Sequence, residues 1–330
     1  MKNTGLAIAN FENTRKVFPT GGSRYVDGNN NSLENNIENG KPLGPEKQGL
    51  GWGYQILPYI EEANANQLTT TAQLAQVVVP IYVCPSRRQA IAVFSNNFNG
   101  VFLAPMDYAA PVPCSYTSTN RTAKYDPMTA VPLSERSFQA VAPHYYGGFG
   151  GNSENTANNR IYDGVIVRCP WRNMYSRNSA TGKLNGAPLV NVPGLVKMSE
   201  VIDGTSKTLL VGEKYVRNDN YTNADNLNSD DRGWADGWDA DQMRSSCFPP
   251  MNDADPLGFD PVMGRMFGDR GPWPFGGMYN VLHFGSAHTA GINVAFVDGA
   301  VKMIAYGIDP VVFNALGTRN GEESIPADAI

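Results

Sequence analysis

Five carboxylates fall within the twelve residues from position 230 to position 241, the densest set of hard metal ligands in the chain. Hard cations such as Ca²⁺ bind carboxylate oxygens in loops, so Asp236, Asp239 and Asp241 are candidate Ca²⁺ ligands. The spacing does not fit an EF-hand loop, which needs Gly at its sixth position and Glu at its twelfth. The alternative is that these carboxylates are solvated or pair with nearby arginines: Arg232, Arg244 and Arg265.

Two tryptophans lie in the same acidic segment, Trp234 and Trp238, four residues apart. Such a pair can form a platform on which sugar rings stack, so both residues are candidate glycan contacts. The alternative is that both are core residues whose indole N–H groups donate to a carboxylate.

The histidines do not indicate a catalytic site. The chain has no nucleophile elbow, phosphate-binding loop, zinc-protease helix motif or dinucleotide fingerprint. His283 and His288 lie five positions apart, which suits either a metal pair or, as we favour, two histidines held by backbone hydrogen bonds. Ser286 lies close to His288 in the sequence, but such adjacency does not make a catalytic triad. We therefore predict a protein that is not an enzyme and has no catalytic residue.

The four cysteines are widely separated: Cys84, Cys114, Cys169 and Cys247. This spacing excludes a zinc ribbon and a thioredoxin-type pair. It leaves two alternatives open, at most two long-range disulfides or four buried thiols.

Composition favours an exported globular protein. The chain of 330 residues is 42% hydrophobic and only 17% charged, with a net charge of −5. It has no basic stripe, which argues against nucleic-acid binding, and no apolar run long enough to span a membrane. A surface rich in Asn, Ser, Thr, Gly and Tyr is typical of extracellular proteins. Three glycosylation sequons lie in polar segments, at Asn30, Asn120 and Asn220.

Periodicity places helices first and strands later. An apolar stripe predicts a helix over residues 1–18, and further helices are predicted over 53–62, where Pro58 must kink the chain, and over 67–76. Residues 77–84 form an apolar run that predicts a buried strand. Short apolar runs then recur between Gly, Asn and Pro, at 91–94, 162–167, 209–211, 292–297 and 300–304.

The last two of these runs flank Asp298-Gly299, the signature of a type I′ hairpin turn. Helix followed by antiparallel strands is an α+β arrangement. We expect an N-terminal helix within residues 1–22 and one large β-rich globular domain with long decorated loops over residues 23–330.

Several sequence blocks resemble those of one family. The blocks are Gly51 to Glu61, with Trp52 and Pro58; Val79 to Ser86, with Cys84 and Pro85; Ile202 to Glu213, with Asp203 and Gly204; and His288 followed after nine residues by Asp298 and Gly299. Residues 315–322 resemble the family's closing block.

These blocks are similar to domain of unknown function 1559, the planctomycete H-X9-DG proteins with a type IV pilin-like beginning. The resemblance runs from Met1 to about Glu322. Such proteins usually open with a prepilin signal and a long apolar helix. The sequence as given shows neither and begins with the stretch that follows that helix, so we expect either the tail of a longer precursor or a member that lacks the signal and the helix. The resemblance implies a pilin-like fold and no established activity, and we expect the motif residues to form turns and packing corners.

From these observations we expect a non-enzymatic extracellular structural protein. The chain would be a pseudopilin-like subunit that polymerises with copies of itself into a filament or surface assembly. The alternative function is a cell-surface glycan-binding module. No cofactor is predicted apart from the candidate Ca²⁺, and no nucleic acid or membrane span is expected.

Overall fold

The structure is a computed structural model of the chain. It describes residues 1–23, 37–38, 41–68, 71–95, 100–113, 162–177, 184–188, 194–222, 230, 232–246, 248–255, 259–260, 265–266, 283–326 and 330.

Short helices precede and follow the strands. The α-helices are α1 (Lys2–Arg15), α2 (Trp52–Gln55), α3 (Thr71–Ala75) and α4 (Pro310–Ala315), and the 3₁₀ helices are Leu57–Tyr59, Ala65–Gln67, Pro80–Tyr82, Met198–Glu200 and Asn218–Asn220. The strands are β1 (Ile37–Glu38), β2 (Lys41–Pro42), β3 (Val93–Ser95), β4 (Val101–Leu103), β5 (Tyr108–Val112), β6 (Trp171–Arg177), β7 (Leu184–Pro188), β8 (Leu209–Glu213), β9 (Met243–Ser245), β10 (Met251–Asn252), β11 (Phe259–Asp260), β12 (Arg265–Met266), β13 (Gly285–Ser286), β14 (Gly291–Phe296) and β15 (Val301–Ala305).

Helix α1 confirms the predicted N-terminal helix, although it is shorter than expected. It ends at Arg15 and is capped by Lys16, whose backbone is left-handed with φ 61° and whose amide donates to the carbonyl of Glu12. Ala7, Ile8 and Phe11 on one side of the helix are buried in the main core. The helix is therefore held by the packing of this apolar side.

A five-stranded sheet in the order β15-β14-β8-β5-β9 forms the centre of the fold. Its neighbours are antiparallel except for the parallel pair β5–β9. Helix α1 lies on one face, where a Cβ atom on Gly5 would be 3.5 Å from that of Ala295. Phe296 points to the other face and packs in a second cluster with Phe313 of α4. The α+β class is confirmed.

The β14–β15 hairpin confirms the predicted turn at Asp298-Gly299 but corrects its type. Gly299 has φ 84°, whereas Asp298 does not have a positive φ, so the turn is not type I′. The amide of Gly299 donates to Phe296 and the amide of Phe296 donates to Ala300. This pattern is a three-residue loop, a tight turn followed by a bulge at the left-handed glycine.

The predicted strand over residues 77–84 is wrong, because Pro80 begins the 3₁₀ helix Pro80–Tyr82 instead. Proline has no amide hydrogen to donate to a sheet. Apart from the exposed Pro80, its apolar side chains are buried or partly buried, and the Tyr82 hydroxyl donates to the carbonyl of Gly53. Residues 162–167 are likewise a buried irregular segment and not a strand.

The two further predicted helices are broken into shorter pieces. Residues 53–62 contain the end of α2 and the 3₁₀ helix Leu57–Tyr59, in which Pro58 occupies a first-turn position. The described part of residues 67–76 contains Gln67, the last residue of the 3₁₀ helix Ala65–Gln67, and α3. Among the described residues, no helix is both long enough and apolar enough to cross a membrane.

Candidate metal centre

The His288 and Asp298-Gly299 parts of the motif lie at opposite ends of strand β14, which spans Gly291–Phe296. Six extended residues separate them by about 20 Å. The Asp298 carboxylate accepts from the amide of Ala300 at 2.9 Å and so caps its own turn. The Asp298 amide also donates to the carbonyl of Thr205, whereas the His288 end approaches the side chains of Cys84 and Glu213.

Cys84, Glu213 and His288 converge in space although they lie in three different sequence blocks. The Nε2 atom of His288 lies 3.4 Å from Oε1 of Glu213 and 4.0 Å from Sγ of Cys84. One ligand atom from each side chain lies within 4.8 Å of the other two. Thiolate, imidazole and carboxylate are the ligands that bind zinc in proteins. These three residues are called the Cys–Glu–His cluster below.

Glu213 is oriented by its neighbour in the sheet. It is the last residue of β8, and its Oε2 atom accepts from the backbone amide of Asn293 at 2.7 Å and from the Asn293 side chain at 3.2 Å. These bonds leave Oε1 directed at His288. The Glu213 side chain is only 2% exposed, so its orientation depends on these fixed donors.

Cys84 is fixed by the backbone turn that follows the 3₁₀ helix Pro80–Tyr82. Its amide donates to Oδ2 of Asp107 at 2.7 Å. Its carbonyl accepts from the amides of Arg87 and Arg88 at 2.9 and 3.2 Å. Both ends of the Cys84 peptide are therefore bonded, which limits the directions that its Sγ atom can take.

His288 is held through its backbone in the segment before β14. Its amide donates to the hydroxyl of Ser286 at 3.2 Å, and its carbonyl accepts from the side chains of Asn252 and Tyr306. Ser286 is thus a turn-capping residue at His288. The His288 side chain is 35% exposed and is the most accessible of the three.

The cluster lacks the features of a cysteine nucleophile. Burial, together with the nearby Glu213 carboxylate, raises the pKa of the Cys84 thiol to about 11, whereas a reactive cysteine needs a lowered pKa. Both Cys84 and Glu213 approach the same nitrogen of His288. A catalytic triad instead uses the two opposite ring nitrogens. The arrangement fits a set of ligands better than a nucleophile with its base.

The three aspartates predicted as Ca²⁺ ligands also lie together, and are called the aspartate cluster below. One carboxylate oxygen from each of Asp236, Asp239 and Asp241 lies within 4.8 Å of the others, and all three residues are buried. Cationic side chains are close to them: Lys214 Nζ is 3.8 Å from Oδ1 of Asp241, and Arg232 Nε is 3.8 Å from Oδ2 of Asp236. This surrounding supports the alternative of pairing with protein cations.

A buried ionic network adjoins the aspartate cluster. Lys214 Nζ is 2.9 Å from Oδ1 of Asp230, Arg88 is 2.5 Å from Oδ2 of the same carboxylate, and Arg87 Nε is 2.8 Å from Asp253. The side chains are at most 2% exposed. Burial raises the pKa of Asp241 to about 7, against the opposing charge of Lys214. Charges this deep are tolerated only when they remain paired.

The structure contradicts the prediction that Trp234 and Trp238 contact glycans. Both side chains are completely buried. The Trp234 indole donates to the carbonyl of Val77 at 2.7 Å, and the Trp238 ring lies against the backbone of Gly21. Neither ring offers a face for a sugar to stack on, so both are core residues, although the Trp234 indole donates to a backbone carbonyl and not to the expected carboxylate.

Of the three predicted glycosylation sites, Asn30 and Asn120 lie outside the described residues. Asn220 lies in the 3₁₀ helix Asn218–Asn220 and is 8% exposed. Its side-chain amide donates to Asp219. Cys114 and Cys247 also lie outside the described residues, whereas Cys84 and Cys169 are free thiols.

The remaining motif residues have structural positions. The Trp52 indole donates to the carbonyl of Gln242, and Pro58 lies in a 3₁₀ helix. Gly204 has φ 97° in its turn. The Asp203 carboxylate accepts from the backbone amides at positions 321 and 322 and so ties the C-terminal segment to this turn. Pro85 follows Cys84 and is exposed.

Sequence reasoning missed Glu213 as a member of a site. It noted His283 and His288 as a potential pair, but the Nδ1–H of His283 donates to the carbonyl of Pro249 and its ring stacks on Phe248. The signal available was that Glu213 is a charged residue at the end of an otherwise apolar strand. That signal does not reveal which residues it meets.

Comparison with known proteins identifies a family and nothing more specific. A family model described as a protein of unknown function (DUF1559) matches residues 1–311. No curated protein and no solved structure matches the chain.

Proposed function

Because the chain belongs to the DUF1559 family, whose description assigns no activity, we propose a function from its own surface and packing. The chain is a non-enzymatic, pseudopilin-like structural subunit that assembles with copies of itself into a filament or layer outside the cell. Its order of elements, a helix packed on a mainly antiparallel sheet, is compatible with that role.

Two separate exposed apolar surfaces carry the proposal. The first, called the aromatic hairpin, contains Phe94 on β3 and Phe102 on β4, which are 41% and 54% exposed with their rings 5.5 Å apart. The second, called the sheet edge, contains Val301 and Met303 on β15, which are 40% and 55% exposed. Exposed apolar groups that adjoin one another are typical of protein–protein contacts.

The sheet edge is also open for backbone pairing. Among the described residues, β15 has a strand neighbour on one side only. Val301 pairs with Ala295 and Met303 with Asn293, so both side chains lie on the face that carries α1. An edge strand with exposed apolar residues is a template for association.

Two different surfaces favour an open assembly. If the aromatic hairpin of one copy contacts the sheet edge of the next, the contact is heterologous, and such contacts build filaments when they do not close into a ring. The opposite edge strand of the sheet, β9, is buried along its length. Within the described part of the chain, the accessible edge of the central sheet is therefore β15.

Composition supports a location outside the cell. The low content of charged residues and the abundance of Asn, Gly and Tyr are typical of exported surfaces. The raised pKa of the Cys84 thiol supports a role other than nucleophilic catalysis.

The test measures assembly of the purified full chain by light scattering over a wide range of protein concentrations and by electron microscopy. We expect the wild type to form multimers or fibres. Met303→Glu and Phe102→Glu each place a charge in one of the two surfaces and should reduce the mean mass to that of a monomer. Ile202→Glu is the matched control, because Ile202 is 60% exposed but belongs to neither surface.

A wild type that stays monomeric at every concentration would overturn the proposal. So would fibres that persist in both surface variants, because assembly would then use other parts of the chain.

A further inference from the structure

We propose that the Cys–Glu–His cluster binds a single Zn²⁺ ion through Cys84 Sγ, Glu213 Oε1 and His288 Nε2. The proposal does not depend on assembly of the chain and stands on the geometry, chemistry and surroundings of these three side chains.

The distances suit a tetrahedral ion. With Zn–S of about 2.3 Å, Zn–N and Zn–O of about 2.0 Å and tetrahedral angles, the sulfur and nitrogen ligands lie roughly 3.5 Å apart and the nitrogen and oxygen ligands roughly 3.3 Å apart. The observed separations are 4.0 Å between Cys84 Sγ and His288 Nε2 and 3.4 Å between Nε2 and Glu213 Oε1. All three ligand atoms lie within 4.8 Å of one another, so small movements of the side chains toward a shared ion would complete the site.

The donor set selects zinc over the hard cations. A thiolate and an imidazole favour Zn²⁺, whereas Ca²⁺ and Mg²⁺ take oxygen ligands almost exclusively. The two bonds from Asn293 to the second oxygen of Glu213 are the type of outer contact that fixes a carboxylate ligand.

The charge and the solvent exposure of the three ligands are suited to a divalent cation. The thiolate of Cys84 and the carboxylate of Glu213 carry two negative charges, which the ion neutralises, and this offsets the cost of burying them. His288 is the accessible member of the cluster, at 35% against 2% for Glu213. With three protein ligands, the fourth position would hold a water molecule.

Binding should release the thiol proton of Cys84. The charged and titratable groups that face the cysteine are Glu213, Arg87, Tyr108, His288 and the α-amino group of Met1. A cysteine binds zinc as the thiolate, so the ion displaces this proton when it binds.

The experiment titrates the full chain, after removal of metals with a chelator, with Zn²⁺ by calorimetry and with Co²⁺ by absorption spectroscopy. We expect stoichiometric binding and a thiolate-to-cobalt charge-transfer band in the wild type. Loss of a ligand costs more than the 10–100-fold effect of an outer contact, so Cys84→Ser and His288→Gln should each weaken Zn²⁺ binding at least about 100-fold. The band should disappear in Cys84→Ser.

The controls separate this site from other ligands. Cys169→Ser removes the other free buried thiol, the double change Cys114→Ser with Cys247→Ser removes the remaining cysteines, and Asp239→Asn disrupts the aspartate cluster. All three should leave the affinity unchanged. Circular dichroism checks that each variant is folded. X-ray absorption of the wild-type zinc complex should show a sulfur ligand at about 2.3 Å, a result that needs no variant.

The proposal is overturned if the wild type binds no stoichiometric Zn²⁺, if the first shell contains no sulfur, or if a folded Cys84→Ser variant keeps the charge-transfer band. Failure of these tests leaves the assembly experiment unaffected.

Discussion

The Cys–Glu–His cluster and the aspartate cluster each bring three metal-type ligands within 4.8 Å, but their surroundings differ. The aspartates are fully buried and have Lys214 and Arg232 beside them. Among the described residues, Glu213 has only His288 within ion-pair distance, and His288 is partly exposed.

The difference shows why a dense set of ligands in the sequence is a weak guide to a metal site. Neighbouring aspartates at positions 236–241 fold into the core together, so protein cations must be buried with them to offset their charge. Ligands from three distant segments carry a smaller local charge. They can remain open to solvent on one side, which a metal ion requires in order to enter.

The largest expected effect tests whether the aspartate cluster depends on its protein cation. Lys214→Met should lower the free energy of unfolding by about 3–5 kcal/mol, because Asp230 and Asp241 would lose a buried partner. Urea denaturation measures this change. Lys2→Met, at an exposed position of α1, should stay within about 0.5 kcal/mol of the wild type. A similarly small effect for Lys214→Met would show that the cluster does not rely on this charge.

The next prediction concerns how the free energy of unfolding changes with pH. Because burial raises the pKa of Asp241 from 3.8 to about 7, the folded state binds more protons than the unfolded state between these values. The contribution of Asp241 to stability is therefore fully present below about pH 4 and is lost as the pH rises towards 7, at up to about 1.4 kcal/mol per unit. Asp241→Asn should reduce this dependence of stability on pH. Urea denaturation midpoints measured from pH 4.5 to 7.5 test it.

Asp298→Asn provides the control for that series, because Asp298 is an exposed turn residue whose amide replacement keeps the oxygen acceptor. The urea midpoints of Asp298→Asn should change with pH as those of the wild type do. An Asp241→Asn variant with an unchanged slope would contradict the raised pKa.

The smallest expected effect is on the Zn²⁺ affinity of the Cys–Glu–His cluster. Asn293→Ala removes one of the two donors to Oε2 of Glu213 and should weaken Zn²⁺ binding about tenfold, the lower end for an outer contact. Calorimetry measures the affinity. Asn220→Ala removes a side-chain amide that bonds Asp219 instead and should have no effect on it. Equal affinities for both variants would mean that Asn293 does not orient the ligand.

Much of the local structure could be predicted from the sequence. The N-terminal helix follows from its apolar stripe, and the turns at Gly204 and Gly299 follow from residues that tolerate positive φ. The strands β8, β14 and β15 follow from apolar runs bounded by turn residues. The strand predicted over residues 77–84 failed because an apolar run indicates burial and does not by itself distinguish a strand from a buried 3₁₀ turn.

The candidate site could be predicted from the sequence less completely than the local structure. The sequence indicated that Asp236, Asp239 and Asp241 are near one another, since they are close along the chain. It gave no means of choosing between sugar stacking and core packing for Trp234 and Trp238, because the same side chain serves either purpose. Only their complete burial decided the question.

The sequence by itself determined the α+β class, the family and the positions of helix α1 and the principal turns, because these depend on local patterns and on motifs of adjacent residues. The tertiary structure alone decided that Cys84, Glu213 and His288 meet. Their contact depends on the order of strands in the sheet and on the register of β8 against β14. A shift of that register by a single residue would turn Glu213 to the opposite face, and no local pattern in the sequence fixes it.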